Sequence, residues 1–188
     1  MKAYYEARAR EYDDWWNWHV EEHDEEYSAL VARIESLEPA KTLDVACGTG
    51  FLTRHLPGEV TGIDQSATVL EIAVEQAPRA TFVHGEGIEL PFGDGAFDRV
   101  FTSHFYGHLE EPDRELFLDE ARRVASELVV VDSARRADSN PDGMQPRVLK
   151  DGSQWEVYKR YFTGAGLAEE LGGGEILHEG TYFVAVRA

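Results

Sequence analysis

The segment Leu43-Asp44-Val45-Ala46-Cys47-Gly48-Thr49-Gly50 places a carboxylate, a thiol and two glycines in close succession. The residues before it are apolar, so it reads as a strand running into a tight turn with a helix opening behind it. Glycines let backbone approach a ligand closely, and a helix start offers free N–H groups. A dinucleotide loop would read G-x-G-x-x-G, but the third position here is Thr53. The next chemical residue is Asp64, at the end of Val60-Thr61-Gly62-Ile63-Asp64. A carboxylate at a strand end beside such a loop can accept both hydroxyls of a ribose; its other use is to cap the following helix. Cys47 suits a packed turn, which needs a small residue, better than it suits a nucleophile.

Farther on, Ser103-His104-Phe105-Tyr106-Gly107-His108 follows another apolar run. Imidazole titrates near neutral pH, so His104 and His108 are the candidate general bases; the alternative is packing under the next helix. Metal binding by two histidines at this spacing requires a helix and a third ligand, and neither is evident. The single cysteine excludes multi-cysteine zinc sites. No metal site is expected. Near the start, Tyr12, Trp15, Trp16 and Trp18 form an aromatic-rich stretch. Their faces can shield a cation or pack against a sheet edge. The acidic run Glu21-Glu22-His23-Asp24-Glu25-Glu26 reads as a solvated face.

The elements that must position these residues alternate between strand and helix, which predicts an α/β domain with a mostly parallel sheet. Residues 1–38 read as helical. Strands are expected at 41–46, 59–63, 81–84, 97–103 and 127–132. Helices are expected near 50–56, from a Ser66 cap to about Ala77, and from Pro112 to about Ala125. Residues 133–153 read as a long polar loop and 155–171 as a helix interrupted by Gly164 and Gly166. The last two strands, 175–178 and 181–187, are separated only by Glu179-Gly180, so they form an antiparallel hairpin.

Taken in order, LDVACGTGFLT, VTGIDQS and HGEGIELPFGDGAFDRV resemble the class I S-adenosylmethionine-dependent methyltransferases of the small-molecule type. The resemblance covers about residues 4–132. It implies a Rossmann-like seven-stranded sheet of order 3-2-1-4-5-7-6 with strand 7 antiparallel, which agrees with the terminal hairpin. It implies S-adenosylmethionine as cofactor. The loop from Asp44 through Ala46 and Gly48 to Gly50 would face its methionine part, with Asp44 near the ammonium group. Asp64 would hold the ribose. Glu86, where the family often has Asp, and Gly87 would meet the adenine, with Gln65 and Ile88 flanking it. Tyr12 matches the tyrosine of an N-terminal helix that folds over the cofactor in similar family members, and Ser103 completes the cofactor-binding set. One departure is Ala125-Ser126 in place of a Pro-Gly-Gly turn before the fifth strand. The Asn-Pro-Pro-Tyr motif of relatives that methylate adenine or glutamine is also absent after strand four.

Composition narrows the partners. The 188 residues fit one domain, read as a helical lid (1–38) on a Rossmann-like core (39–188). The net charge is −18, from 36 acidic against 18 basic residues. Phosphate backbones need a basic patch, so neither nucleic acid nor an anionic membrane is an expected partner. No apolar run reaches the roughly 18 residues of a membrane span, and the first residues lack a signal-peptide core, so a cytoplasmic protein is expected. The expected partner is a small-molecule methyl acceptor; monomer and homodimer both stay open. Two other functions share the motifs: a non-catalytic S-adenosylmethionine-binding module, and a nucleotide-cofactor oxidoreductase. The absent third glycine disfavours the second.

Overall fold

The centre of the fold is set by a strand that is apolar on both sides. In Glu127–Ser133 (β5), Leu128, Val129, Val130 and Val131 are all buried. Leu128 and Val130 join one core cluster with Phe117, Ala121 and Val124, while Val129 and Val131 join another with Leu30 and Ile34. A strand with no polar face has to be covered by helices on both sides, the usual condition of a parallel sheet. The computed structural model describes residues 2–14 and 24–188. The covering helices are Asp24–Glu35 (α2) on one face and Glu111–Val124 (α4) on the other.

Around β5 run Ala40–Val45 (β1), Gly58–Asp64 (β2), Thr81–His84 (β3), Arg99–Ser103 (β4), Glu175–Glu179 (β8) and Phe183–Arg187 (β9). The seven-stranded sheet has the order β3-β2-β1-β4-β5-β9-β8. Pairs from β3 to β5 are parallel; β9 runs antiparallel to both β5 and β8. This is the expected order, with the last two strands renumbered because two further strands precede them. The parallel strands bring Val45, Asp64 and Ser103 to the same carboxyl edge, where open α/β sheets bind ligands. Ser66 caps Ala67–Gln76 (α3) as expected, accepting the Val69 N–H at 3.3 Å. Among the described residues, no helix is long and apolar enough to cross a membrane.

Three expectations fail locally. The helix near 50–56 is only a 3-10 turn, Thr53–His55. Thr53 turns its hydroxyl back onto Asp44, and Pro57 forces the residue before it into an extended conformation. The loop at 133–153 contains Gly143–Val148 (β6), which pairs antiparallel with Gln154–Lys159 (β7). The second strand occupies the start of the expected helix 155–171, and only Gly164–Glu170 (α5) is helical there. The reason is packing. Val157 is buried with Tyr4 and Leu149, and Trp155 packs on the same cluster. That period of two puts an apolar face under the N-terminal helix Lys2–Arg8 (α1).

After α1 the chain makes a 3-10 turn at Ala9–Glu11 and then lies across the glycine turn. Asp13 accepts hydrogen bonds from Thr49 Oγ1 and Gln76 Nε2, both at 2.5 Å. Trp15, Trp16 and Trp18, and Glu21, Glu22 and His23 of the acidic run, lie outside the described residues.

Candidate active site

Two non-glycine residues in the left-handed region end the central strands: Ala46 (φ 56°) after β1 and His104 (φ 52°) after β4. Such conformations cost energy and cluster at functional sites. Ala46 leads into the glycine turn. Gly48 (φ 55°) is crowded, because a Cβ there would lie 3.0 Å from the Tyr12 ring. Gly50 faces Ala73 of α3, so it serves close packing of the turn on that helix.

Asp44 is buried at the end of β1. Thr53 Oγ1 donates to its Oδ2 at 2.6 Å, while among the described residues Oδ1 has no hydrogen-bond partner. Burial raises its pKa to about 7, outweighing the Thr53 hydrogen bond. Asp64 holds the turn from the neighbouring strand. Its Oδ2 accepts the Gly48 N–H at 3.0 Å and its Oδ1 the Ser66 N–H at 2.9 Å. Burial also raises the Asp64 pKa, with those N–H groups opposing the shift. Each carboxylate oxygen keeps a lone pair for a further donor. The Cys47 thiol is pushed well up by burial, which removes its nucleophilic form at neutral pH.

Three connected spaces run along the carboxyl edge of the sheet. A groove of about 300 Å³ is lined by Asp64, Gln65, Glu86, Gly87, Ile88 and Phe105. A Cβ on Gly87 would lie 2.8 Å from the Phe105 ring, so glycine keeps this wall thin. The groove narrows into a link of about 30 Å³, where Tyr5, Tyr12, Gly48, Ser103 and His104 meet Ala46, Asp64 and Gln65. The link opens into a cavity of about 330 Å³ that shares Tyr5, Tyr12 and His104 with it and adds His108.

The cavity is built on a buried ion pair. Lys159 Nζ of β7 lies 2.7 Å from Asp132 Oδ1 of β5, and Asp132 also accepts the Gly107 and Ser133 N–H groups, each at 2.7 Å. Burial works against the Asp132 charge, but Lys159 and His104 outweigh it and hold the carboxyl at about 2. A Cβ on Gly107 would lie 2.8 Å from that carboxylate. His108 donates its Nδ1–H to the Tyr158 carbonyl at 2.7 Å, which leaves the Nε2 lone pair as an acceptor. Burial, assisted by the Lys159 charge, lowers its pKa to about 3, so it is neutral at physiological pH. His104 Nδ1 lies 3.3 Å from Ser133 Oγ and 3.9 Å from Asp132 Oδ1.

The family profile described as Methyltransferase domain matches residues 43–127. Across the whole chain the structure superposes on the DhpI–SAH complex, with a TM-score of 0.80 and 26% identity, covering 93% of that chain. By these matches this chain resembles the class I S-adenosylmethionine-dependent methyltransferases. A DhpI–SAM–HEP complex aligns equally well, with a TM-score of 0.80 and 27% identity over 99% of this chain and 94% of that chain. Demethylmenaquinone methyltransferase of Thermotoga maritima is 37% identical over 100 residues, which is 50% of this chain and 43% of that protein. The Staphylococcus aureus enzyme of the same name is 42% identical over 93 residues, 45% of this chain and 38% of that protein. The chain therefore matches less than half the length of these curated relatives. A methyltransferase of Aquifex aeolicus, at 21% identity and a TM-score of 0.67, shares the fold.

The structure gathers Tyr12, Ala46, Gly48, Asp64, Gln65, Glu86, Gly87, Ile88 and Ser103 along the groove and link, and sets His104 and His108 in the cavity. Asp44 and Gly50 lie behind the turn and do not line these spaces. Sequence reasoning missed Lys159, Arg8 and Arg147 as cavity residues. The available signal was the alternation Trp155, Val157, Lys159, a strand period in a segment read as helix. Among the described residues, no group of three His, Cys, Asp or Glu side chains could hold a metal ion.

Proposed function

We propose that this chain transfers a methyl group from S-adenosylmethionine to a small molecule held in the 330 Å³ cavity. One observation carries the reading: a groove with a ribose-type carboxylate and the acceptor-side cavity are joined end to end through His104, Tyr5 and Tyr12. The residues present fit the cofactor. The partnerless Oδ1 of buried Asp44 suits an ammonium group, and the thin wall at Gly87 suits a flat ring.

Bound S-adenosylmethionine supplies a methyl on a sulfonium, which leaves as a neutral thioether. The chain's own residues then have three tasks. Asp64, with Gln65 and Glu86–Ile88, fixes the adenosine end; the turn at Ala46 and Gly48 faces the amino-acid end, with the Asp44 charge behind it. Tyr12 and Ser103 line the narrow passage between the two spaces. His104, at the junction, takes the proton of a protonated nucleophile, and the Asp132 charge stabilises the imidazolium that results. His108, held neutral, accepts a hydrogen bond through Nε2 and orients the acceptor. Residues 2–14 act as the cover of the site.

The test measures S-adenosylhomocysteine formation with a pool of small metabolites, for the full chain and for a truncated protein that begins at Val20. Turnover is expected from the full chain only. Tight cofactor binding with no turnover on any pool would favour a binding module. Full turnover by the truncated protein would remove the cover role.

A further inference from the structure

The acceptor cavity contradicts the rest of the chain in charge. Acidic residues outnumber basic ones two to one over the sequence, yet among the described residues the cavity is lined by Arg8, Arg136, Arg147 and Lys159 and by no Asp or Glu. The four cations are not equivalent. Lys159 is neutralised by Asp132 at 2.7 Å, and Arg136 by Asp138 at 2.8 Å. Arg8 and Arg147 have no carboxylate within 4.0 Å among the described residues. The Arg8 guanidinium lies over the Tyr12 ring, 5.0 Å from its centroid. Arg147 reaches only neutral oxygens, Gln145 Oε1 at 2.9 Å and the Pro146 carbonyl at 3.1 Å.

Both arginines are half-buried, and a charge drawn away from water is costly unless something pairs with it. The chain has an excess of carboxylates with which to neutralise them, and none of the described ones lies there. The planar fork of a guanidinium matches the oxygens of a carboxylate or a phosphate-type group. An apolar acceptor filling this cavity would displace water from both charges and return no counter-charge.

We propose that the acceptor carries a compact oxyanion, a carboxylate or a phosphate-type group, held between Arg8 and Arg147. This rests on the reading of the cavity as the acceptor site. The oxyanion anchors the molecule, and its nucleophilic atom reaches the junction at His104. Neutral His108 lends a hydrogen-bond acceptor to a protonated group beside the anion. The Lys159–Asp132 pair, net neutral, forms the fixed floor and does not compete for the ligand. Arg8 sits on α1, so an anion between it and Arg147 of β6 would also tie the N-terminal cover to the hairpin.

The experiment titrates inorganic phosphate and, separately, acetate into the full chain saturated with S-adenosylhomocysteine, by calorimetry at low salt. Arg147→Gln and Arg8→Gln are compared with wild type. Saturable binding of at least one probe is expected, weakened about tenfold or more in each variant, with S-adenosylhomocysteine affinity unchanged. Phosphate without acetate points to a tetrahedral dianion, and acetate without phosphate to a carboxylate; either supports the proposal. If neither probe binds while S-adenosylhomocysteine does, the oxyanion proposal is overturned and the cofactor reading stands. Equal probe binding in wild type and both variants overturns it as well. If S-adenosylhomocysteine itself does not bind, the underlying functional reading fails. Arg147 stands on a two-stranded hairpin, so its variant remains a fair probe should Arg8→Gln perturb α1. Arg147→Lys should keep part of the binding.

Discussion

The two ends of the proposed site, one for the cofactor and one for the acceptor, are built differently. The cofactor end comes from consecutive βα units, with the turn after β1, the end of β2 and the segment after β3 supplying neighbouring residues in chain order. Its carboxylates are held by groups close by in the same βα units: Asp64 by the Gly48 and Ser66 N–H groups, Asp44 by the Thr53 hydroxyl. The acceptor end is assembled from α1, the turns after β4 and β5, and the β6–β7 hairpin, joined by one buried ion pair between Asp132 and Lys159. The family match at 43–127 covers the first end, whereas Tyr5, Arg8, Arg147 and Lys159 of the second lie outside it. A shared cofactor constrains the first end; the second is free to differ between acceptors.

This contrast can be broken most forcefully at the ion pair. Asp132→Ala leaves Lys159 buried without a counter-charge and frees the Gly107 and Ser133 N–H groups. It should cost about 3–5 kcal/mol in urea denaturation. Cofactor affinity in the protein that remains folded should change far less, since no groove residue touches the pair. A loss of cofactor binding as large as the loss of stability would merge the two ends into one unit.

His104 tests the chemistry at the junction. If it is the base, His104→Ala should lower kcat by about 10²–10⁴-fold with cofactor affinity nearly unchanged. A change of only a few-fold in steady-state kinetics would assign it to packing against Phe183, whose ring centroid lies 5.9 Å away.

Asp64→Ala removes the proposed ribose acceptor and an anchor of the glycine turn. S-adenosylmethionine affinity should fall by about 1–3 kcal/mol in calorimetry. Equal affinity in the variant would place the ribose elsewhere.

The smallest effect is the pH response of Asp44. Its folded pKa of about 7 lies above the ordinary 3.8, so the folded state retains a proton that the unfolded state loses. Its contribution to stability is full below about pH 4 and is lost as pH rises to about 7. Affinity for an ammonium-bearing ligand runs the other way. It should weaken by up to about tenfold per unit as pH falls below 7. Histidine 108, whose folded pKa is depressed, has the opposite sign for stability between about pH 3 and 6.5, so the readout is the difference between wild type and Asp44→Asn. Identical pH profiles in the two proteins would refute the Asp44 role.

What the sequence determined is what local chemistry determines. Asp44 and Asp64 lie at the ends of β1 and β2, which follow one another in the chain and pair in the sheet, and glycine at 48 answers a backbone requirement that few residues meet. The apolar run of β5 reports burial on two faces without reference to any partner. The terminal hairpin follows from a connection too short for anything else. The tertiary structure decided the rest. Residues 154–159 became a strand because α1, 146 residues or more away in sequence, offers Tyr4 to cover Val157. Lys159 is tolerable in that buried place only because Asp132 lies opposite it, and Arg8 and Arg147 face one cavity only once helix and hairpin are packed. Helix and strand propensity in that segment are nearly balanced, so contacts between distant parts of the chain make the choice.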